Sequence, residues 1–256
     1  MGVGELLDAA IRLYRAQWKR LMAIVAIVVV PVTFLQGFLT RTLGSPFADP
    51  TTVSTDVDST FIASLVLSAL QTFVIYPFLT AAVARASADV YLGHEVTVGP
   101  TFRFAARRIH SILWISILSA LATGLGLLLL VIPGIIVFVR LVFGSVVLVV
   151  EGQKGGKALG RSWRLAKRHF WKLLGTLVLA FVMAGFVQFI LAIPGGIAYA
   201  AIGTAGWPFL AIATTLAEVI TTPFTTLITV LLYFDLRIRK EGFDLEVMAR
   251  EMSSSQ

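Results

Sequence analysis

Six apolar runs constrain this chain more than any other feature. They cover about Leu21–Leu39, Phe61–Ala84, Ser111–Ile132, Ile135–Val150, Leu173–Ile193 and Trp207–Phe234. Wound as helices, runs of roughly 20 residues match the hydrocarbon thickness of a bilayer. Backbone N–H and C=O groups find no water in lipid, so a spanning segment must pair them within itself, and uninterrupted apolar runs do this as helices. Composition agrees, with 57% hydrophobic and 14% charged residues, where soluble domains carry about a quarter charged. The expected fold class is therefore all-α, a polytopic membrane protein with six transmembrane helices. Residues 1–256 read as a single integral membrane domain, with Thr40–Thr60 as its one long polar loop and residues 246–256 as a polar, disordered tail. The absence of cysteine removes disulfides and thiolate chemistry.

The charges sort by position. Of the 21 Lys and Arg residues, only Arg41 and Arg140 lie outside four groups: before the first run, in the second-to-third loop, between the fourth and fifth runs, and after the sixth. Loops rich in Lys and Arg stay on the cytoplasmic side. Both termini and all basic segments are accordingly expected to be cytoplasmic. The net charge of +7 then reflects topology and attraction to anionic lipid, with no nucleic-acid partner implied.

The densest basic segment, Lys157–Leu174, carries Leu159, Trp163, Ala166, Phe170 and Leu173 at alternating spacings of four and three. Lys157, Arg161, Arg164, Arg168 and Lys172 occupy the other face. That pattern is an amphipathic helix, and it suits a membrane interface with cations among head groups. The competing placement turns the same apolar stripe onto the protein's own body. Residues 5–20, with Arg12, Arg15, Lys19 and Arg20, and residues 98–110, with Arg103 and Arg107, repeat the device.

A shift of 61 residues lays Trp163, Arg164, Ala166 and Phe170 on Phe102, Arg103, Ala105 and Ile109, and Ile193-Pro194-Gly195 on Ile132-Pro133-Gly134. A shift of 152 lays Leu159, Arg164 and Leu173 on Leu7, Arg12 and Leu21. Pro77 and Pro223 are each followed twelve residues later by an acid, Asp89 and Asp235. The chain thus reads as three pseudo-repeated hairpins, units of about 5–93, 98–151 and 157–245, each led by a basic cytoplasmic helix. The two Pro-Gly pairs are expected to be the hairpin turns, with Pro31 kinking the first span and Pro223 interrupting the sixth.

Catalytic patterns are missing. Gly152–Lys157 is one residue short of a phosphate loop and has Ala158 where a hydroxyl is required. His94, His110 and His169 have no ligand-like partner at helical spacing, so no cofactor and no metal is expected. Two ionisable residues fall inside apolar runs, Arg140 and Glu218. Charges at that depth normally face a partner or a wet cavity, and a direct Arg140–Glu218 pair is one arrangement that would satisfy both. The leading expectation is a non-enzymatic membrane protein that binds or organises anionic phospholipid, or scaffolds a membrane partner or a second copy of itself. Arg161, Arg164, Arg168, Lys172, Arg103, Arg107, Arg12 and Arg15 are its candidate head-group contacts. The alternative is a small transporter or channel with a polar path near Arg140 and Glu218.

Three segments carry a resemblance: Glu151-Gly152 with Ala158–Leu165, then Phe170-Trp171-Lys172-Leu173-Leu174-Gly175, then Tyr233–Leu245. Together they resemble the membrane domain that some bacteria fuse to glycerophosphodiester phosphodiesterases, and the likeness extends over nearly the whole chain. It implies a bacterial plasma membrane and work near phospholipid head groups. In the fused proteins a separate soluble barrel performs hydrolysis. No such barrel is present in these residues, so the resemblance does not imply that activity.

Overall fold

The structure is a computed structural model. It describes residues 2–43, 68–167 and 169–241, with Ile62 and Val66 besides. Most of the Thr40–Thr60 loop, Arg168 and the 246–256 tail lie outside them. The described elements are helical throughout: α1 (Val3–Leu43), a π-helical turn (Gln71–Ile75) running into α2 (Tyr76–Tyr91), α3 (Val98–Arg107), α4 (Ile109–Leu129), α5 (Val131–Leu141), α6 (Gly144–Val150), α7 (Gly156–Ala166), α8 (Phe170–Ile202) and α9 (Trp207–Glu241). Six segments are long and apolar enough to cross a membrane, α5 and α6 jointly forming the fourth.

The spans are not equivalent in burial. In the sixth, 72% of the most apolar stretch is buried and in the second 56%, against 17% in the third and 22% in the first and fifth. Helix α9 is therefore the axis of the bundle, and α1, α4 and α8 form its wall. Leu128 and Phe189 are among the many large apolar side chains facing outward, 84% and 67% exposed. In water such a surface would be an aggregation site, but in lipid it is solvated.

Three breaks in the helices share one backbone conformation. Gln17 inside α1 has φ −128° and ψ 18°. Arg108 between α3 and α4 has φ −112° and ψ 12°, and His169 between α7 and α8 has φ −125° and ψ 28°. Each break separates a basic lead segment from the apolar helix it feeds. Buried residues flank the breaks in register: Ala10, Thr101 and Ser162 before them, then Leu21, Ile112 and Leu173, and Ile24, Ile115 and Thr176 after. In α1, then, the non-helical backbone falls at Gln17, while Pro31 simply continues the helix.

The prolines and Pro-Gly pairs behave differently from expectation. The α4–α5 turn is the single extended residue Leu130 (φ −167°, ψ 152°), which leaves Pro133 inside the first turn of α5. The α8–α9 turn is Gly203–Gly206, and Pro194 sits inside α8. In both hairpins it is the glycine that matters. A Cβ on Gly134 would lie 2.5 Å from Leu127 Cγ, and one on Gly195 would lie 2.8 Å from the Phe209 carbonyl oxygen. These glycines let paired helices touch backbone to side chain, the close approach that membrane helices use for packing. Pro223 does not interrupt α9 either. Thr221, Thr225, Thr226 and Thr229 donate to carbonyls three or four residues back, supplying hydrogen bonds around the missing N–H.

Candidate functional site

At the end of the bundle where α3 and α7 lie, polar residues from four elements converge on two buried carboxylates. Glu151, at the C-terminus of α6, has a side chain only 9% exposed. It accepts hydrogen bonds from Tyr233 Oη at 2.6 Å, from Arg161 Nε at 3.1 Å and from Gln153 Nε2 at 2.9 Å, with Arg237 Nε 3.9 Å away. Asp235, 6% exposed, lies two residues past Tyr233 on α9 and pairs with Lys172 Nζ at 2.6 Å and with Arg239 Nε at 3.2 Å. Every group here has opposite charge or a donor facing it, which is the condition for keeping ions out of water. Tyr233 and Phe234 are fully buried, and Phe234 stacks on Tyr91 at 4.3 Å between ring centres.

The three sequence segments that carried the resemblance meet in this network. Glu151 comes from the first with Arg161, Lys172 from the second, and Tyr233, Asp235, Arg237 and Arg239 from the third. Their chemistry is mutual neutralisation, a brace joining α6, α7, α8 and α9. Two of the expected head-group contacts, Arg161 and Lys172, are thereby taken up inside the protein, with side chains 18% and 22% exposed.

The apolar stripe of α7 is also turned inward. Leu159 and Ala166, with Leu173 at the start of α8, are buried, and Trp163 and Phe170 are half-buried. The stripe packs on the protein's own body, in place of the acyl boundary expected for it. The other candidate cations are disposed differently. Arg164 is exposed on α7, Arg12 and Arg15 are exposed on α1, and Arg103 and Arg107 on α3. Arg108, by contrast, turns in to donate to the Leu148 carbonyl at 3.1 Å and stacks on Phe104 at 4.8 Å.

Arg140 and Glu218 do not meet. The Arg140 guanidinium lies 4.5 Å over the Trp163 ring of α7, reaching towards the basic end. The break between α5 and α6 beside it is splinted by the buried Ser162, whose hydroxyl donates to the Arg140 carbonyl at 2.7 Å and accepts from the Phe143 N–H at 3.2 Å. Glu218 instead borders a cavity of about 550 Å³ between α2, α8 and α9, with Tyr76 and Gln188 among its walls. Among the described residues no ion pair joins the two. Sequence reasoning found both residues from their apolar surroundings, but it missed Glu151 and Tyr233 as a site. Nothing in their local spacing marks them, since their partners lie 10 and 82 residues away.

The fold and this arrangement of charges define the class as a multi-pass α-helical membrane protein. Within that class the chain belongs to the family described as Domain of unknown function (DUF7847), whose model matches residues 90–236. The matched stretch ends one residue past Asp235, and it contains both carboxylates. No curated protein and no solved structure matches the chain.

Proposed function

We propose that this protein is a non-enzymatic membrane module that holds anionic phospholipid at its basic end, with both termini on the cytoplasmic side of a bacterial plasma membrane. One observation carries the reading. While Arg161 and Lys172 are consumed internally, Arg12, Arg15, Arg103 and Arg107 stay exposed with no carboxylate partner among the described residues. Exposed tryptophans follow each helix break: Trp18 at 46%, Trp114 at 52% and Trp171 at 80%. Trp collects at the head-group level of a bilayer, and cations beside it attract anionic head groups at roughly 1 kcal/mol each. The positive-inside rule supplies the orientation. The likeness to the membrane domain fused to phosphodiesterases points to the same chemistry of head groups.

The reading of three pseudo-repeated units belongs with it. It is supported by the breaks at Gln17, Arg108 and His169, which stand at the offsets of 61 and 152 found in the sequence, and by the buried triplets on either side. Each lead segment packs against the second helix of the preceding unit: Phe78 of α2 stacks on Phe102 of α3, and Tyr14 of α1 meets Phe224 of α9 edge-on, closing the ring. The repeat does not extend to the turns, because the first helix of the third unit, α8, runs twelve residues longer than α4. A transporter with one path through Arg140 and Glu218 would need the two residues together, and their separate surroundings leave only the Glu218 cavity in its favour.

The test is lipid retention. Protein reconstituted in equal phosphatidylglycerol and phosphatidylcholine is extracted gently and its bound lipid is counted by native mass spectrometry. The wild type is expected to retain phosphatidylglycerol selectively, and less at high salt. The variant R12Q/R15Q/R103Q/R107Q is expected to lose that preference. Equal retention of the two lipids, or an unchanged preference in the variant, overturns the proposal.

A further inference from the structure

The Glu218 cavity has a chemistry of its own, distinct from that of the basic end. Glu218 stands eleven residues after the start of α9, roughly 16 Å along the axis at the helical rise, well within the span. Tyr76 of α2, Gln188 and Phe189 of α8, and Thr214 and Thr222 of α9 surround it. A π-helical turn ends at Tyr76, whose own N–H bonds back to the Gln71 carbonyl. Such turns recur at functional positions because they re-aim the side chain that follows. Here the Tyr76 hydroxyl is brought beside the Glu218 carboxylate.

Counting hydrogens shows what the cavity offers. Thr214 Oγ1 spends its proton on the Leu210 carbonyl at 2.8 Å. Thr221 Oγ1 spends its own on the Ala217 carbonyl at 2.9 Å, so it accepts from Gln188 Nε2 at 2.7 Å. That contact fixes the amide and leaves Gln188 with its Oε1 and a second Nε2–H. The Tyr76 oxygen already accepts from Gln71 Nε2 at 3.2 Å. The cavity thus offers acceptors at the Glu218 carboxylate, Gln188 Oε1 and the Thr214 oxygen, beside donors at Thr222 and Gln188 Nε2, and the charged group among its lining residues is Glu218. Among the described residues no cation pairs with Glu218. The rings of Tyr76 and Phe189 line the same cavity, and an aromatic ring beside the seat suits a positive guest.

We infer that this cavity is a binding site for a ligand bearing an ammonium group, seated on Glu218 with its N–H donors towards Gln188 and Thr214 and its carbon substituents against Tyr76 and Phe189. The size selects the class. About 550 Å³ lies in the range of organic-ligand pockets, and a bare alkali-metal ion would leave most of it empty. The ammonium group could come from a free organic amine or from the head group of an aminophospholipid, and both present the same chemistry. The inference does not depend on the head-group reading of the basic end.

The experiment uses the full chain in nanodiscs of phosphatidylglycerol, with radiolabelled hexylamine at neutral pH as the probe and empty nanodiscs subtracted. Saturable binding is expected, weakened at least tenfold by Glu218→Gln and several-fold by Tyr76→Phe, which keeps the ring. Unfolding of Glu218→Gln is followed in parallel; should that variant not fold, Thr214→Val replaces it and is also expected to weaken binding. In nanodiscs of equal phosphatidylglycerol and phosphatidylethanolamine, displacement of the probe assigns the site to the lipid ammonium, and undiminished binding assigns it to a free amine. Absence of saturable binding, or equal binding by wild type and the folded variants, overturns the inference.

Discussion

Two of the acids on helix α9, Asp235 and Glu218, have opposite surroundings. Asp235 is held between Lys172 and Arg239 beside the Glu151 cluster, whereas Glu218 faces uncharged polar groups, a tyrosine and a cavity. The same helix therefore has one end braced by counter-charge and a middle left open to a guest. Charge neutralised by the protein itself supports the fold. Charge left without a counter-charge in an apolar setting is what a ligand, or a proton, can answer.

The largest expected effect breaks the braced side. Glu151→Ala removes the acceptor shared by Tyr233, Arg161 and Gln153, leaving buried donors without it. Loss of one partner from a buried charge network costs about 3–5 kcal/mol, measurable as a lowered midpoint of chemical unfolding in mild detergent. Wild-type stability in this variant would show that the cluster is incidental to the fold.

Next in size is the hairpin contact at Gly195. Gly195→Val puts a branched side chain where a Cβ alone would come within 2.8 Å of the α9 backbone. Overpacking of this kind costs about 1–3 kcal/mol, read by the same unfolding measurement. A neutral result would show that α8 and α9 can separate freely beside the Glu218 cavity.

The smallest effect sharpens the comparison. Arg239 also pairs with Asp235, but its side chain is 49% exposed, and solvent screening should hold the loss in Arg239→Gln to about 0.2–1 kcal/mol. A change as large as that of Glu151→Ala would mean that the two carboxylates act as one unit, which a double-mutant cycle would then reveal.

Much of the fold was legible before any contact was known. All six runs became spans, and the basic segment of residues 98–110 became α3, with its helix broken from the span at Arg108. The candidate site was legible only in part. Arg103 and Arg161 look alike in the sequence, each a cation on a basic lead helix. Arg103 stays exposed, as does Arg164 at the matching place on α7, while Arg161 is drawn to Glu151 because α6 ends beside its own turn of α7. The Pro-Gly pairs misled for a related reason. Proline is tolerated in the first turn of a helix and can be carried within a long membrane helix, and glycine serves close packing as well as turns. The dipeptide alone does not separate these uses.

By itself, then, the sequence determined an all-α chain with six membrane-length helices and most of its positive charge outside them. Those are properties of local composition and length, and the bilayer reads them one segment at a time. The tertiary structure decided which cations are spent on Glu151 and Asp235, that Arg140 lies against Trp163, and that Glu218 opens onto a cavity. Each of those outcomes depends on helices far apart in the chain arriving at the same depth and rotation. The energies involved act over a few ångströms, a scale that only packing sets.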